Sequence, residues 1–222
     1  MRIVFTAICV FYLACSFAQS DSAKYSNAKN DQRIGRQVPN IVLYDTAGKK
    51  VKLSSFKGKV LYLDFWATTC APCIKLFPFE EQLQTRLKKL RLDTCVLIIK
   101  ICNDSPVEQW KSVIKENNSS AINLILPGKD YKIWRKFKLP YWPTYHLVSK
   151  DFKYLGTEIS KPNDIDIDYF LFRAINNINF VQSIEELKTY KQEFNEGNTD
   201  IPSWYVEWWN KISPLLTTGN KN

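Results

Sequence analysis

Lys59-Val-Leu-Tyr-Leu-Asp-Phe-Trp-Ala-Thr-Thr-Cys-Ala-Pro-Cys73 carries a nearly unbroken apolar run straight into a Cys-x-x-Cys motif. A short apolar run that ends in turn-forming residues reads as a buried strand, here residues 60–65, and the motif opens a helix. Pro72 suits an early helical position, where its missing N–H would lack a partner anyway. Two thiols at positions i and i+3 of a helix start can close a disulfide with little backbone movement. The first of them, Cys70, stands at the helix N-terminus, where unpaired amides and the helix dipole stabilise a thiolate. Cys70 is therefore the expected nucleophile. A lone Cys-x-x-Cys is also half a zinc site, but zinc takes about four ligands. The chain has one histidine, His146, and no second Cys-x-x-Cys pair. Redox chemistry is the better reading, and neither a metal nor an organic cofactor is expected.

Working outward, Leu76, Phe79, Leu83, Leu87 and Leu90 recur at spacings of three and four, which is one face of a helix. Pro78 interrupts that pattern and is expected to kink the helix early. Cys95-Val-Leu-Ile-Ile-Lys-Ile-Cys102 reads as the next buried strand. Its two cysteines would lie about 23 Å apart along an extended chain, too far to bridge, and are expected as buried free thiols. A helix with Val107, Trp110 and Ile114 inward follows, so strand and helix alternate as in parallel pairing. A short helix over 131–137 leads to a strand that begins after Pro140-Tyr-Trp-Pro143, and the chain returns antiparallel over 153–156. A last body helix spans 165–175. On the N-terminal side, residues 41–44 and 50–53 flank Asp45-Thr-Ala-Gly48 as a β-hairpin. Beyond Asn176, Ser183-Ile-Glu-Glu186 resembles a capping box, and starts a helix with Ile184, Leu187, Tyr190 and Phe194 inward. A second stripe of Trp204 or Tyr205, Trp208 and Ile212 follows, with Trp209 beside it, expected to pack on its own domain or to form a docking surface.

Taken together, residues 60–73 resemble the active-site segment of thioredoxins, and residues 34–175 resemble their exported TlpA/ResA-type, AhpC/TSA-related members. Ile34-Gly-Arg-Gln-Val-Pro-Asn40, the hairpin ending in Gly48, and Leu53-Ser-Ser-Phe-Lys-Gly-Lys59 carry the N-terminal part of the likeness. Peroxiredoxins share that hairpin, but their Pro-x-x-x-Thr-x-x-Cys pattern is missing here. The resemblance implies an α/β fold, a thioredoxin-like three-layer sandwich with an N-terminal β-hairpin and a helical C-terminal extension. It implies thiol–disulfide exchange through Cys70 and Cys73. Asp64 takes the position of the buried carboxylate that trades protons with the second cysteine, and an acid on a buried strand is expected to hold its proton and act as general base. Trp142-Pro143-Thr144 looks like the cis-proline loop that faces the cysteines, with Pro143 as a rigid wall and the Trp142 backbone pairing with an extended substrate. Trp66, Ala71 and Pro72 are expected to line the same substrate-binding surface, with core packing the alternative for Trp66 and Trp142.

Three positions depart from the family pattern: Leu76 replaces the glutamate of cytochrome-maturation members, Thr69 replaces a common Trp, and Trp142 replaces the usual Thr. These departures weaken a dedicated cytochrome-maturation role, and the bulk of Trp142 is expected to narrow the substrate range or to restrict metal capture by the thiols. Ala71-Pro72 lies close to the Gly-Pro of reducing thioredoxins, which favours a reductase.

Residues 1–18 place Arg2 before an apolar stretch ending in small residues, as in an export signal cleaved after Ala18. An uncleaved anchor, or a lipid on Cys15, is the tethered alternative. A polar spacer over 19–33, a thioredoxin-like domain over 34–177 and a Trp-rich helical extension over 178–222 complete the expected organisation. The protein is thus expected outside the cytoplasm, periplasmic or membrane-anchored facing the periplasm. Its expected partners are protein disulfide or dithiol substrates and a membrane or exported electron donor. The formal charge of +9 is spread over scattered Lys and Arg without a dense basic run, so no nucleic-acid surface is expected. From another functional class, the rival reading is a non-catalytic binding module that uses the aromatic C-terminal helix.

Overall fold

In the computed structural model, which describes residues 30–103, 105–127, 132–197 and 201–217, seven strands form one mixed sheet. They are β1 (Val42–Tyr44), β2 (Lys50–Lys52), β3 (Val60–Trp66), β4 (Val96–Asn103), β5 (Ile122–Leu126), β6 (Thr144–Val148) and β7 (Tyr154–Thr157). Their spatial order is β2-β1-β5-β4-β3-β6-β7. β3, β4 and β5 run parallel, and β6 and β7 close one side antiparallel. The expected export signal and most of the spacer lie outside the described residues, as does Tyr131. Among the described residues, no helix is long and apolar enough to cross a membrane.

Among the described residues, seven α-helices flank the sheet: α1 (Ala71–Ile74), α2 (Phe77–Lys89), α3 (Val107–Glu116), α4 (Lys132–Phe137), α5 (Ile167–Ile175), α6 (Phe180–Asn195) and α7 (Ser203–Thr217). Because side chains alternate along a strand, Tyr62, Asp64 and Trp66 share one face with their register partners Ile98, Lys100 and Cys102. On that face α2 contributes Leu83 and Leu87, and α5 contributes Tyr169 and Phe170, to a cluster around Tyr62 and Ile98. Leu61, Leu63 and Phe65 point the other way, onto Ile133 and Phe137 of α4 and onto Val38 and Leu53 of the N-terminal segment. These are the three layers of the expected sandwich.

The hairpin turn is built by Asp45, whose Oδ1 accepts from the amides of Ala47 (3.0 Å) and Lys49 (2.8 Å), while Gly48 takes φ +79°. That left-handed conformation is one that glycine adopts without steric cost. The hairpin joins the sheet through β5, where Tyr44 pairs with Ile125. The sequence reading passed over β5, because a five-residue apolar run between helices has no periodicity long enough to identify it.

Four other expectations are corrected. Phe79 is 38% exposed, and the buried face of α2 is Phe77, Glu80, Leu83 and Leu87. The helix is interrupted between α1 and α2 ahead of Pro78, so the proline sits in the first turn of the second helix, where its missing N–H costs nothing, rather than kinking a continuous one. Helix α6 begins before Ser183: the Asn179 side chain accepts from the Gln182 amide at 3.0 Å, and the Gln182 side chain accepts from the Asn179 amide at 3.3 Å. The reciprocal cap therefore belongs to Asn179 and Gln182, and the Ser183 hydroxyl bonds back to the Asn179 carbonyl at 2.9 Å. Cys95 falls just before β4 and is half-buried, whereas Cys102 is buried, and both are free thiols. The Phe194 side chain lies outside the described residues.

The C-terminal helices extend the core. Phe180, Ile184 and Leu187 of α6 and Tyr205, Trp208 and Ile212 of α7 are buried in the cluster that contains Tyr62 and Ile98. Gly156 of β7 lets the start of α6 pack close on the sheet, because a Cβ there would meet Ile159 Cγ2 at 2.6 Å and Phe180 Cβ at 2.7 Å. Gly156→Ala is expected to cost about 1–3 kcal/mol by overpacking, read as a lower denaturant midpoint at unchanged slope. A variant as stable as the parent would mean that α6 shifts freely.

Candidate active site

Strand β3 ends at Trp66 and passes into the loop Ala67-Thr68-Thr69, which the end of β4 holds in place. The Thr68 amide and hydroxyl both donate to Ser105 Oγ at 3.0 Å, and the Cys70 amide donates to the Ala67 carbonyl at 3.0 Å. Cys70 caps α1 and is joined to Cys73 by a disulfide with a Cα separation of 5.3 Å. Cys70 keeps 9% of its surface and Cys73 only 2%. A disulfide partner from solution therefore meets Cys70 first. The Cys73 amide donates to Cys70 Sγ at 3.2 Å, in the geometry that stabilises negative charge on that sulfur. Ala71 and Pro72 are exposed beside it.

Beneath the disulfide lies a cluster of Trp66, Ala67, Phe77, Cys102, Trp110 and Ile125. Trp66 is fully buried and meets Phe77 edge-on at 5.0 Å, so it supports the thiols from below and offers no surface to a substrate. The expectation that it lines the recognition surface is corrected accordingly: Phe77 covers it. Trp142 is half-buried, packs against the same cluster and lies on Trp134 with ring centroids 4.9 Å apart. The Trp142–Pro143 peptide is cis. Tyr141, 54% exposed, stands next to it as an aromatic edge the sequence reading did not single out. Thr144 is buried, and its hydroxyl donates to the Tyr141 carbonyl, so its side chain holds the loop and does not face outward.

Asp64 is not a solitary acid. Lys100, its register partner on β4, is fully buried and donates from Nζ to Asp64 Oδ2 at 2.8 Å. The same ammonium donates to Oε2 of Glu80, the buried carboxylate of α2. It also lies 3.6 Å from the Phe77 ring centroid and 5.5 Å from that of Trp66, which ties this polar cluster to the apolar floor under Cys73. Tyr145 of β6 reaches Glu80 Oε1 with its hydroxyl at 3.5 Å. Asp64 Oδ1 is buried without a hydrogen-bond partner among the described residues. Burial pushes the Glu80 carboxyl well above the usual carboxylate range, Lys100 pulls it down and Asp64 adds to the rise. For Lys100, burial works against the charge, but the two carboxylates outweigh it and raise the ammonium above its ordinary value.

Neither Lys100 nor Glu80 was identified from the sequence, although signals existed. A lysine inside an apolar strand needs a carboxylate partner, and Glu80 lies three residues from both Phe77 and Leu83 on the inward stripe of its helix.

The remaining candidates carry no such chemistry. Burial pushes the Cys102 thiol up to about 12, so it stays protonated. His146 sits on the opposite face of the sheet among Phe65, Phe137 and Tyr154, and burial pushes its imidazole down to about 3. Among the described residues, no group of three His, Cys, Asp or Glu is arranged to hold a metal ion.

Comparison with known proteins adds a sequence likeness to this geometry. The Redoxin family model matches residues 33–153. The thiol-disulfide oxidoreductase ResA of Bacillus cereus is 29% identical over 152 residues, covering 68% of this chain and 84% of that protein. ResA of Bacillus subtilis is 53% identical over 45 residues, which is 20% of this chain and 25% of its own length. Among solved structures, a thiol:disulfide interchange protein from a Bacteroides species superposes with a TM-score of 0.55 at 26% identity, covering 64% of this chain and 90% of that one. The thioredoxin domain of a thiol-disulfide oxidoreductase from Bacteroides vulgatus gives a TM-score of 0.54 at 25% identity, covering 67% of this chain and 100% of that domain. The fold is thioredoxin-like.

Proposed function

Because this chain belongs to the Redoxin family, we propose that it is a thiol–disulfide oxidoreductase that acts on exported proteins and runs mainly in the reducing direction. The observation that carries this reading is a Cys70–Cys73 disulfide whose first cysteine keeps more of its surface than the second, above a floor backed by a buried carboxylate pair and an ammonium.

In the reducing direction the Cys70 thiolate attacks a substrate disulfide, and one substrate sulfur leaves as a thiolate while a mixed disulfide forms. Cys73, deprotonated with Asp64 as base, then attacks Cys70 Sγ. The bond from Cys70 to substrate breaks, the second substrate sulfur leaves with the electron pair, and the Cys70–Cys73 disulfide remains. The cis Trp142–Pro143 loop and Tyr141 form the side of the site against which an extended substrate segment pairs, and Ala71 and Pro72 form the other. A dithiol donor, membrane-bound or exported, restores the thiols. An exported location, periplasmic or tethered at the N-terminus, is supported by Arg2 and the apolar residues that follow it. The domain reading is a redox body over 34–177 with a helical extension whose Tyr205, Trp208 and Ile212 are buried, which speaks against a free aromatic docking tail.

The test is catalysed insulin reduction by the full chain, together with the equilibrium of its disulfide against glutathione. Turnover with a potential of about −270 mV is expected of a reductase, whereas about −120 mV would make it an oxidant. A disulfide that shows neither turnover nor exchange with glutathione would overturn the enzyme reading in favour of a binding module.

A further inference from the structure

The cluster beneath Cys73 holds two carboxylates and one ammonium, all buried. With every group ionised, it would carry one uncompensated negative charge away from water, a costly state that a single proton relieves. Asp64 from β3 and Glu80 from α2 both meet the same Lys100 Nζ. The groups facing them from the packed elements are Lys100 on β4, the Tyr145 hydroxyl on β6, the Cys102 thiol one rung along β4, and the Cys73 side of the floor, reached through Phe77 and Trp66. Leu76, one helical turn before Glu80, is buried and apolar, so the helix offers no other acid to this space.

We propose that Glu80 is a positioning residue for the resolving step: with Asp64 it shares one proton over the ammonium of Lys100, and that proton is the one Cys73 takes up and gives back. This inference rests on the thiol–disulfide reading above. In the disulfide form the cluster holds the proton and is neutral. When a donor dithiol attacks Cys70, the Cys70–Cys73 bond breaks, Cys73 leaves as a thiolate with the electron pair, and it takes the proton from the cluster, which becomes singly negative. In the next cycle the Cys73 thiol returns the proton and attacks Cys70 Sγ as a thiolate. Without Glu80, Asp64 would face Lys100 alone, and accepting a proton would create a net positive charge in a buried place. The second carboxylate offsets the ammonium, so a proton arriving in the cluster leaves it neutral.

The experiment uses the full chain carrying Cys70→Ser, with alkylation of Cys73 by iodoacetamide followed against pH at the Cys73 peptide by mass spectrometry. With Glu80 present, the curve is expected to show two coupled steps. Glu80→Gln, which preserves shape and an acceptor for Lys100 but cannot ionise, is expected to leave one step. It should also make Cys73 about tenfold more reactive below its midpoint, because a neighbouring negative charge is gone. Asp64→Asn removes the excess carboxylate as well and is expected to collapse the curve in the same way. An unchanged curve in Glu80→Gln, or two steps persisting in either variant, would overturn the shared proton. Insulin turnover of the parent protein is read separately: its absence would sink the oxidoreductase reading, whereas the alkylation curve reports on the proton store without any catalysis.

Discussion

Cys70→Ser should reduce insulin turnover to background, a loss of at least about 10³-fold, because no other described thiol can replace it. Cys102 is buried with its thiol held protonated, and Cys95 lies at the entry to β4, the far end of that strand from Cys102 and the redox floor. Cys73→Ser should be as inactive but in a different way. Cys70 remains the more accessible thiol and can still attack, but nothing resolves the mixed disulfide, so substrate accumulates on Cys70 as a species that dithiothreitol releases. The asymmetry of 9% against 2% exposure is the physical ground for this order. Recovery of trapped substrate from Cys70→Ser instead, bound through Cys73, would reverse it.

Lys100→Met should be the most damaging substitution outside the cysteines, lowering stability by about 3–5 kcal/mol at neutral pH. The ammonium is the counter-ion for two buried carboxylates, and removing it leaves Asp64 and Glu80 facing each other without compensation. Methionine fills most of the volume, so the cost is electrostatic and must depend on pH. A carboxyl held above its unfolded value contributes stability that is present at low pH and lost as pH rises through the folded value. Glu80 already behaves this way in the parent protein. Without Lys100 the rise is larger, so the deficit of the variant should be smaller at pH 5 than at pH 8. Denaturant unfolding of the oxidised protein at both values measures it, and a deficit equal at the two would assign the damage to packing.

The same cluster marks where sequence reasoning stops. Asp64 is legible in the sequence through the resemblance, because it takes the position of the buried carboxylate of thioredoxins on the strand that feeds the cysteines. Its partners are 36 and 16 residues further along the chain, and no local pattern links them. Lys100 reaches Asp64 because β3 and β4 pair in parallel with Val60 opposite Val96, a register that carries the offset forward to residues 64 and 100. Glu80 reaches the same point because it lies on the inward stripe of α2 with Leu83 and Leu87, while Phe79 falls at the edge of that stripe and is turned outward. Trp66 shows the reverse case: its place in sequence beside the motif suggested a surface role, and α2 covers it.

The sequence by itself determined the redox pair, the strand and helix that hold it, the hairpin and the cis-proline loop, because these depend on local spacing, on turn chemistry and on resemblance across a contiguous segment. Only the tertiary structure decided which sulfur faces solvent, which charges share the buried site below it, how β5 joins the hairpin to the core, and that the aromatic C-terminal helices close that core. Those outcomes depend on strand register and helix phase, through which a shift of one residue turns a side chain from one face to the other.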